Sequence, residues 1–306
     1  MTSPDLGPGL QLLERGWLSS NNVLLDDGDG GVLIDSGHSV HAAQTVALLQ
    51  PALGHRPLRR LLNTHLHSDH CGGNAALQRH WPLRVHVPAP SLHAVQRWDE
   101  QLLSYRRLGQ CCERFTVQGG VAAGDTLRIG ARQWQALAAP GHDPDSLLFF
   151  DAEHGVLVSA DALWENGFGI VFPELEGEPA FDDVERVLEL IASLPVRAVI
   201  PGHGAAFDNV PAALQRARAR LAGFRADPAR HLRHGAKVLL KYHMMEQRQQ
   251  PLPTVLAWLR DTPLMHSIWS VLGRPAGGYA AWCEQLLQDL LSGGLLSLRD
   301  GTVHDG

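Results

Sequence analysis

The chain has 306 residues, 44% of them apolar, enough for one large domain or two smaller ones with a packed core. Its four cysteines form no C-x-x-C pair, which speaks against a disulfide framework and a cysteine zinc cage, and no apolar run reaches the roughly 18–20 residues of a membrane span. A net charge of −6 is unlike a chain that binds nucleic acid over its whole surface, but the charge is uneven: residues 212–306 carry 12 Lys+Arg against 7 Asp+Glu, and the residues before them 14 against 25.

The opening Met1-Thr2-Ser3-Pro4-Asp5-Leu6 has neither the basic region nor the apolar stretch of a secretory leader, so a cytoplasmic location with reduced thiols is expected. Two apolar runs, Ser20 to Leu25 and Gly31 to Asp35, flank an Asp/Gly turn and predict a hairpin. A helix follows over Val40 to Leu49, closed by Pro51, Gly54 and Pro57. Leu58 to Asn63 reads as a buried strand, Gly72 to His80 as a helix and Leu83 to Val87 as a strand. Strands are expected at Leu127 to Ile129, Gln133 to Ala138, Leu147 to Asp151 and Gly155 to Ser159. Phe181 to Leu194 is a helix with Asp182 and Asp183 in its first turn, where negative charge suits the helix dipole, and Ala198 to Ile200 is a last strand. Strands first in pairs, then alternating with helices, fit sheet layers covered by helices.

After Pro211 the character changes. Helices are expected over Ala212 to Ala226, Pro228 to Gln247, Thr254 to Leu259 and Tyr279 to Leu291, with Pro251 and Pro253 as breakers. Gly293-Gly294 ends the last helix, and Leu295 to Leu298 with Thr302-Val303 reads as a small hairpin, so the tail looks like a winged helix. Two regions are therefore expected, 1–211 and a mostly helical 212–306. Trp258, Trp269 and Trp282 fall at helical spacing and read as core.

Within six residues, His65, His67, Asp69 and His70 supply four candidate metal ligands. In an extended segment His65 and His67 face the same way, while Asp69 and His70 follow in a turn and can face a second ion. His142 in Pro140-Gly141-His142-Asp143, Asp161 in Ser159-Ala160-Asp161 and His203 in Pro201-Gly202-His203-Gly204 each lie where a strand runs out into a loop. Imidazole with carboxylate suits zinc, iron or manganese rather than calcium. His38, His41, His55, His80 and His93 stand outside this set and read as structural.

This pattern resembles the metallo-β-lactamase superfamily over roughly residues 10–210. The H-x-H-x-D-H signature stands at His65, His67, Asp69 and His70, the later His142, Asp161 and His203 fall in the family's order, and Asp35 in Leu33-Ile34-Asp35-Ser36-Gly37 matches its early motif. The resemblance implies an α/β fold, a four-layer αββα sandwich with the C-terminal helical region appended. It implies two divalent metal ions, zinc foremost and iron or manganese as alternatives. His65, His67 and His142 would hold one, and Asp69, His70 and His203 the other. Asp161 would bridge them, and Asp35 would support a ligand rather than bind metal. It implies hydrolysis by a metal-bridging hydroxide, with Asp69 also a catalytic orienter or proton carrier. Asp161 argues against antibiotic hydrolysis, since the family's β-lactamases usually carry cysteine or serine there. A small-molecule ester, thioester or lactone is the first substrate expectation. The alternative is single-stranded RNA, cut by an endoribonuclease of the lactamase-like type, its phosphates tracked by basic helices from Arg216 to Lys241. The C-terminal module could equally cap the site or form a homodimer.

Overall fold

Successive side chains of a strand point to opposite faces, and most strands of this chain are apolar on both. The computed structural model, which describes residues 4–306, shows why: both faces are covered. The expectation drawn from Met1-Thr2-Ser3 lies outside the described residues. Strands β1 (Leu10–Leu13), β2 (Asn22–Asp26), β3 (Gly31–Ile34), β4 (Leu58–Leu62), β5 (Arg84–Pro88) and β6 (Gly119–Val121) form one sheet in that order, antiparallel through β3 and parallel beyond it. Strands β7 (Thr126–Ile129), β8 (Arg132–Ala138), β9 (Leu147–Asp151), β10 (Val156–Ala160) and β11 (Ala198–Pro201) form a second sheet, antiparallel except for the β10–β11 pair.

Alternation along the strands then builds four layers. Val23, Leu25, Val32 and Ile34 point inward and meet Trp134, Phe149, Val156 and Val158 of the other sheet. Their neighbours Leu24, Leu33 and Leu61 point outward, onto α1 (Ala42–Leu53), α3 (Asn74–His80) and α4 (Leu92–Arg97); the one-turn helix α2 (Ser68–Cys71) precedes α3, and α5 (Tyr105–Leu108) follows α4. On the opposite side Leu148, Phe150, Leu157 and Val199 pack under α7 (Phe181–Ser193) and α8 (Val210–Ala226), with the short α6 (Phe172–Leu175) just before them. The result is the expected αββα sandwich.

Two expectations shift for reasons of proline chemistry. The helix expected to close at Leu49 carries Pro51 in its last turn and runs to Leu53, ending at Gly54 with φ +63°. Pro253 is no breaker either. It sits in the first turn of α10 (Leu252–Asp261), where an amide hydrogen has no helical acceptor and proline's missing N–H costs nothing.

The C-terminal part contains α9 (Pro228–Gln247), α10, α11 (Pro263–Val271), α12 (Gly278–Ser292) and a three-stranded sheet. The sequence reading has no counterpart to α11. The expected terminal hairpin is present as β13 (Leu296–Arg299) and β14 (Thr302–Asp305), and β12 (Gln249–Pro251) adds a third strand on β14. Asp227 caps α9, its side chain accepting from the Arg230 amide at 3.1 Å. A third core gathers Leu232, Leu239 and Met244 of α9 with Val255, Met265 and Leu286, and Trp258 and Trp282 lie half-buried against it. Leu108, Ile170 and Leu175 of the sandwich enter the same core. The apolar face of α8 packs in the sandwich core and that of α9 in the third core, with Asp227 between the two helices.

Candidate metal centre

β8 and β10 run parallel to each other, as do β10 and β11, and β3 and β4, so several strand ends meet at one edge of the sandwich. The chemistry-bearing residues sit there. Asp35 follows β3; His65 and His67 follow β4; His142 follows β8; Asp161 follows β10; His203 follows β11. Asp69 and His70 lie in the expected turn, which takes the form of the one-turn helix α2.

All seven expected ligands are buried, and they fall into two sets. One ligand atom from each of His65, His67 and His142 lies within 4.8 Å of the others, and so do those of Asp69, His70, Asp161 and His203. Asp161 faces both sets: Oδ2 is 3.3 Å from His142 Nε2, and Oδ1 is 3.5 Å from His70 Nε2 and 3.8 Å from His203 Nε2.

The hydrogen bonds behind the ligands fix which nitrogen faces inward. His142 Nδ1 donates to the Ile170 carbonyl at 2.6 Å, leaving the Nε2 lone pair toward His67 Nδ1, 2.8 Å away. His70 Nδ1 lies 2.8 Å from Asp35 Oδ2, and Asp35 also accepts from the Thr64 amide at 2.9 Å and the Thr64 hydroxyl at 2.7 Å. A carboxylate behind an imidazole fixes its tautomer and raises its basicity, and Asp35 takes that place behind His70. His65 Nε2 and His70 Nε2 are buried without any hydrogen-bond partner in the protein. Buried nitrogens rarely stay unpaired, and a cation between the sets would satisfy both.

Electrostatics agree. Burial, with the neighbouring histidines, pushes His67 down to about 3 and His65 well below its usual value, keeping both as the neutral imidazoles that bind metals. Burial alone would lower His70 too, but Asp161, Asp35 and Asp69 outweigh it and hold it well above. Burial works against ionising Asp69 and Asp161, yet the facing histidines, His70 foremost, hold both below the usual carboxylate range. Three carboxylates around buried imidazoles therefore make a place that calls for positive charge.

Close backbone approach is built in. A Cβ on Gly202 would lie 2.2 Å from Asp161 Oδ1, and one on Gly169 would lie 2.5 Å from His142 Nδ1. Asp35 and Ala160 hold left-handed backbone, φ +57° and +46°, a strain of roughly 1–3 kcal/mol each that collects at functional sites.

Other residues complete the pocket without any local sequence signal. Asn21 pins the His203 loop by donating to the carbonyls of Pro201 at 2.9 Å and Gly204 at 2.7 Å. Trp17, 61% exposed, stacks on His203 at 5.6 Å, and Trp164 meets the same ring edge-on while donating to Asp161 Oδ1 at 3.2 Å. The roof comes from α9: Val238, Leu239 and Tyr242 overlie a pocket of about 100 Å³, and the Tyr242 hydroxyl is 2.7 Å from Ser68 Oγ. This pocket opens into a cleft of about 780 Å³ between the two tryptophans and α9. No helix among the described residues is long and apolar enough to cross a membrane.

Known proteins share this architecture. The chain is 27% identical over 221 residues to the acyl-coenzyme A thioesterase MBLAC2 of Gallus gallus, an alignment covering 65% of this chain and 78% of that one. It is 30% identical over 180 residues to a hydroxyacylglutathione hydrolase of Stenotrophomonas maltophilia, covering 58% of this chain; the chain spans just over half of that relative, 55%. A solved metallo-beta-lactamase family protein from Thermus thermophilus matches the fold over 99% of this chain and all of its own, with a TM-score of 0.59 at 20% identity. The profile of the Metallo-beta-lactamase superfamily matches residues 15–203, from just after β1 through His203, and the chain belongs to that superfamily.

Proposed function

We propose that this chain is a binuclear metal-dependent hydrolase of small acyl substrates, thioesters first, then esters and lactones. The observation that carries it is the pair of buried ligand sets with Asp161 between them. His65, His67 and His142 would hold one divalent ion, Asp69, His70 and His203 the other, and Asp161 both. Nitrogen with carboxylate oxygen suits zinc, and iron and manganese accept the same donors. When bound, such ions lower the pKa of water from 15.7 toward about 7 and polarise the oxygen of an electrophile. The chain's own groups do the rest. Asp69, an ionised carboxylate 3.1 Å from His203 Nε2, orients the attacking water and takes its proton. Trp17, Trp164 and the α9 roof exclude solvent and align the acyl group. The names of the two curated relatives, both thioester hydrolases, support this bond type.

Ion pairs within the fold engage four of the eight basic residues from Arg216 to Lys241, which weakens the RNA alternative. Arg225 pairs with Asp182 and Glu185, Arg233 with Asp227, Lys237 with Asp289 and Lys241 with Asp305. Cations neutralised by their own fold release few counterions from a polyanion. The four cysteines are free thiols, in keeping with a cytoplasmic location. A panel of thioesters, lactones, phosphodiesters and single-stranded RNA tests the reading. Turnover of thioesters is expected, and salt-sensitive RNA cleavage without acyl turnover would overturn it.

A further inference from the structure

Arg220 of α8 stands apart from the other basic residues of the C-terminal half. Its guanidinium carbon lies 5.4 Å from the ring centre of Phe168 and 5.3 Å from that of Phe224, and Nη2 donates to His234 Nε2 at 2.9 Å. The backbone of Gly167 closes against it: a Cβ there would lie 2.9 Å from the arginine's Cδ. Burial, with Arg220, Arg230 and Lys237 nearby, pushes His234 down to about 4, so it accepts this hydrogen bond as a neutral ring and brings no negative charge. Among the described residues neither Arg220 nor Arg230 forms an ion pair with a carboxylate, whereas Arg225, Arg233, Lys237 and Lys241 all do.

A guanidinium held by two rings and an imidazole keeps its full charge and most of its five donors for something else. Its position says what. Arg220 and His234 line the same 780 Å³ cleft as His203. The same two side chains, with Arg230 and Phe224, line a second hollow of about 460 Å³ on the far side. The cleft wall is mostly apolar, with Trp164, Ile170, Val238 and Met245 among its lining, and also carries Glu165 and the ion-paired Lys241 and Asp305.

We propose that Arg220, backed by Arg230, is the specificity-determining residue for a phosphate group carried by the thiol half of the substrate, remote from the bond that is cut. The substrate class is then an acyl thioester of a phosphorylated carrier thiol. Its apolar arm lies along the cleft, and its phosphate takes a bidentate contact from Arg220. Two uncompensated arginines favour a phosphate dianion over a single carboxylate. This rests on the thioester reading for the identity of the reacting group, but the anion subsite can be measured without turnover.

The test is binding to the metal-loaded protein, followed by calorimetry and by quenching of Trp17 and Trp164, for three free thiols: coenzyme A (phosphates), glutathione (carboxylates only) and N-acetylcysteamine (uncharged). Coenzyme A should bind at least tenfold tighter than the other two. Arg220→Met should remove that preference, Arg220→Lys should restore part of it, and Arg230→Met, which leaves the packed guanidinium in place, should lower coenzyme A affinity a few-fold. Equal binding of the three thiols, a preference for glutathione, or a coenzyme A preference that survives both methionine variants would overturn the proposal. Coenzyme A binding that depends on Arg220 in a protein that hydrolyses no thioester would leave the subsite standing and remove the thioester reading instead.

Discussion

The strand-end edge and the α9 roof meet over one pocket, yet they are built in opposite ways. At the edge, the proposed centre depends on identity: seven side chains of two chemical types, each held by a hydrogen bond or a close backbone approach. In the roof, function is carried by shape: Val238, Leu239 and Tyr242 cover the pocket while most cations around them are neutralised locally. The difference teaches where substitutions should matter for chemistry and where for fit.

The largest expected effect is at the edge. His67→Ala should lose bound metal and drop activity to background while the protein stays folded; an unchanged metal content in elemental analysis would break the comparison. Asp35→Asn should keep the ligands but lose their support, lowering metal affinity about 10–100-fold in a competitive chelator titration. An effect as small as that of a surface change would mean that His70 orients itself.

On the roof side the effects are smaller and of another kind. His231 of α9 accepts from the Val171 amide at 3.2 Å and is pushed by burial to about 3. Its folded pKa lies below the unfolded value near 6.5, so the unfolded chain takes the proton first. The stability it contributes is complete above about pH 6.5 and is lost toward pH 3, at up to about 1.4 kcal/mol per pH unit. Urea denaturation of His231→Gln should show a flatter acid limb than the parent, by about 2 kcal/mol between pH 7 and 5. Identical limbs would remove His231 as a tie between the C-terminal helices and the sandwich. Least of all, Tyr242→Phe removes one hydrogen bond to Ser68, worth about 1 kcal/mol. It should raise KM about fivefold with metal content unchanged; a loss of metal would make the roof part of the edge.

The same contrast explains what was legible in the sequence. Four candidate ligands of the edge fall within six residues, and the other three each follow an apolar strand, so spacing and the family resemblance single them out. The hairpin around Asp26 to Gly30 and helix α9 behind its Asp227 cap carry equally local signals. The pocket walls do not. Trp17, Trp164 and Tyr242 come from three distant segments, and only the packing of α9 over the sandwich brings them together. Asn21 looks like any strand residue until its side chain is seen tying down the His203 loop. Pro51 and Pro253 misled because proline's effect depends on its place in the helix, which composition does not give. That α8 and α9 pack into different cores is not legible either, because both are basic outside and only their buried faces differ.

The central claim is that Asp161 joins two ion sites into one centre. Elemental analysis of the purified chain and of Asp161→Ala, paired with hydrolysis of a thioester, tests it most directly. Two ions per chain are expected in the parent, with loss of at least one ion and of activity in the variant. One ion per chain at full activity, or two ions retained without Asp161, would contradict it.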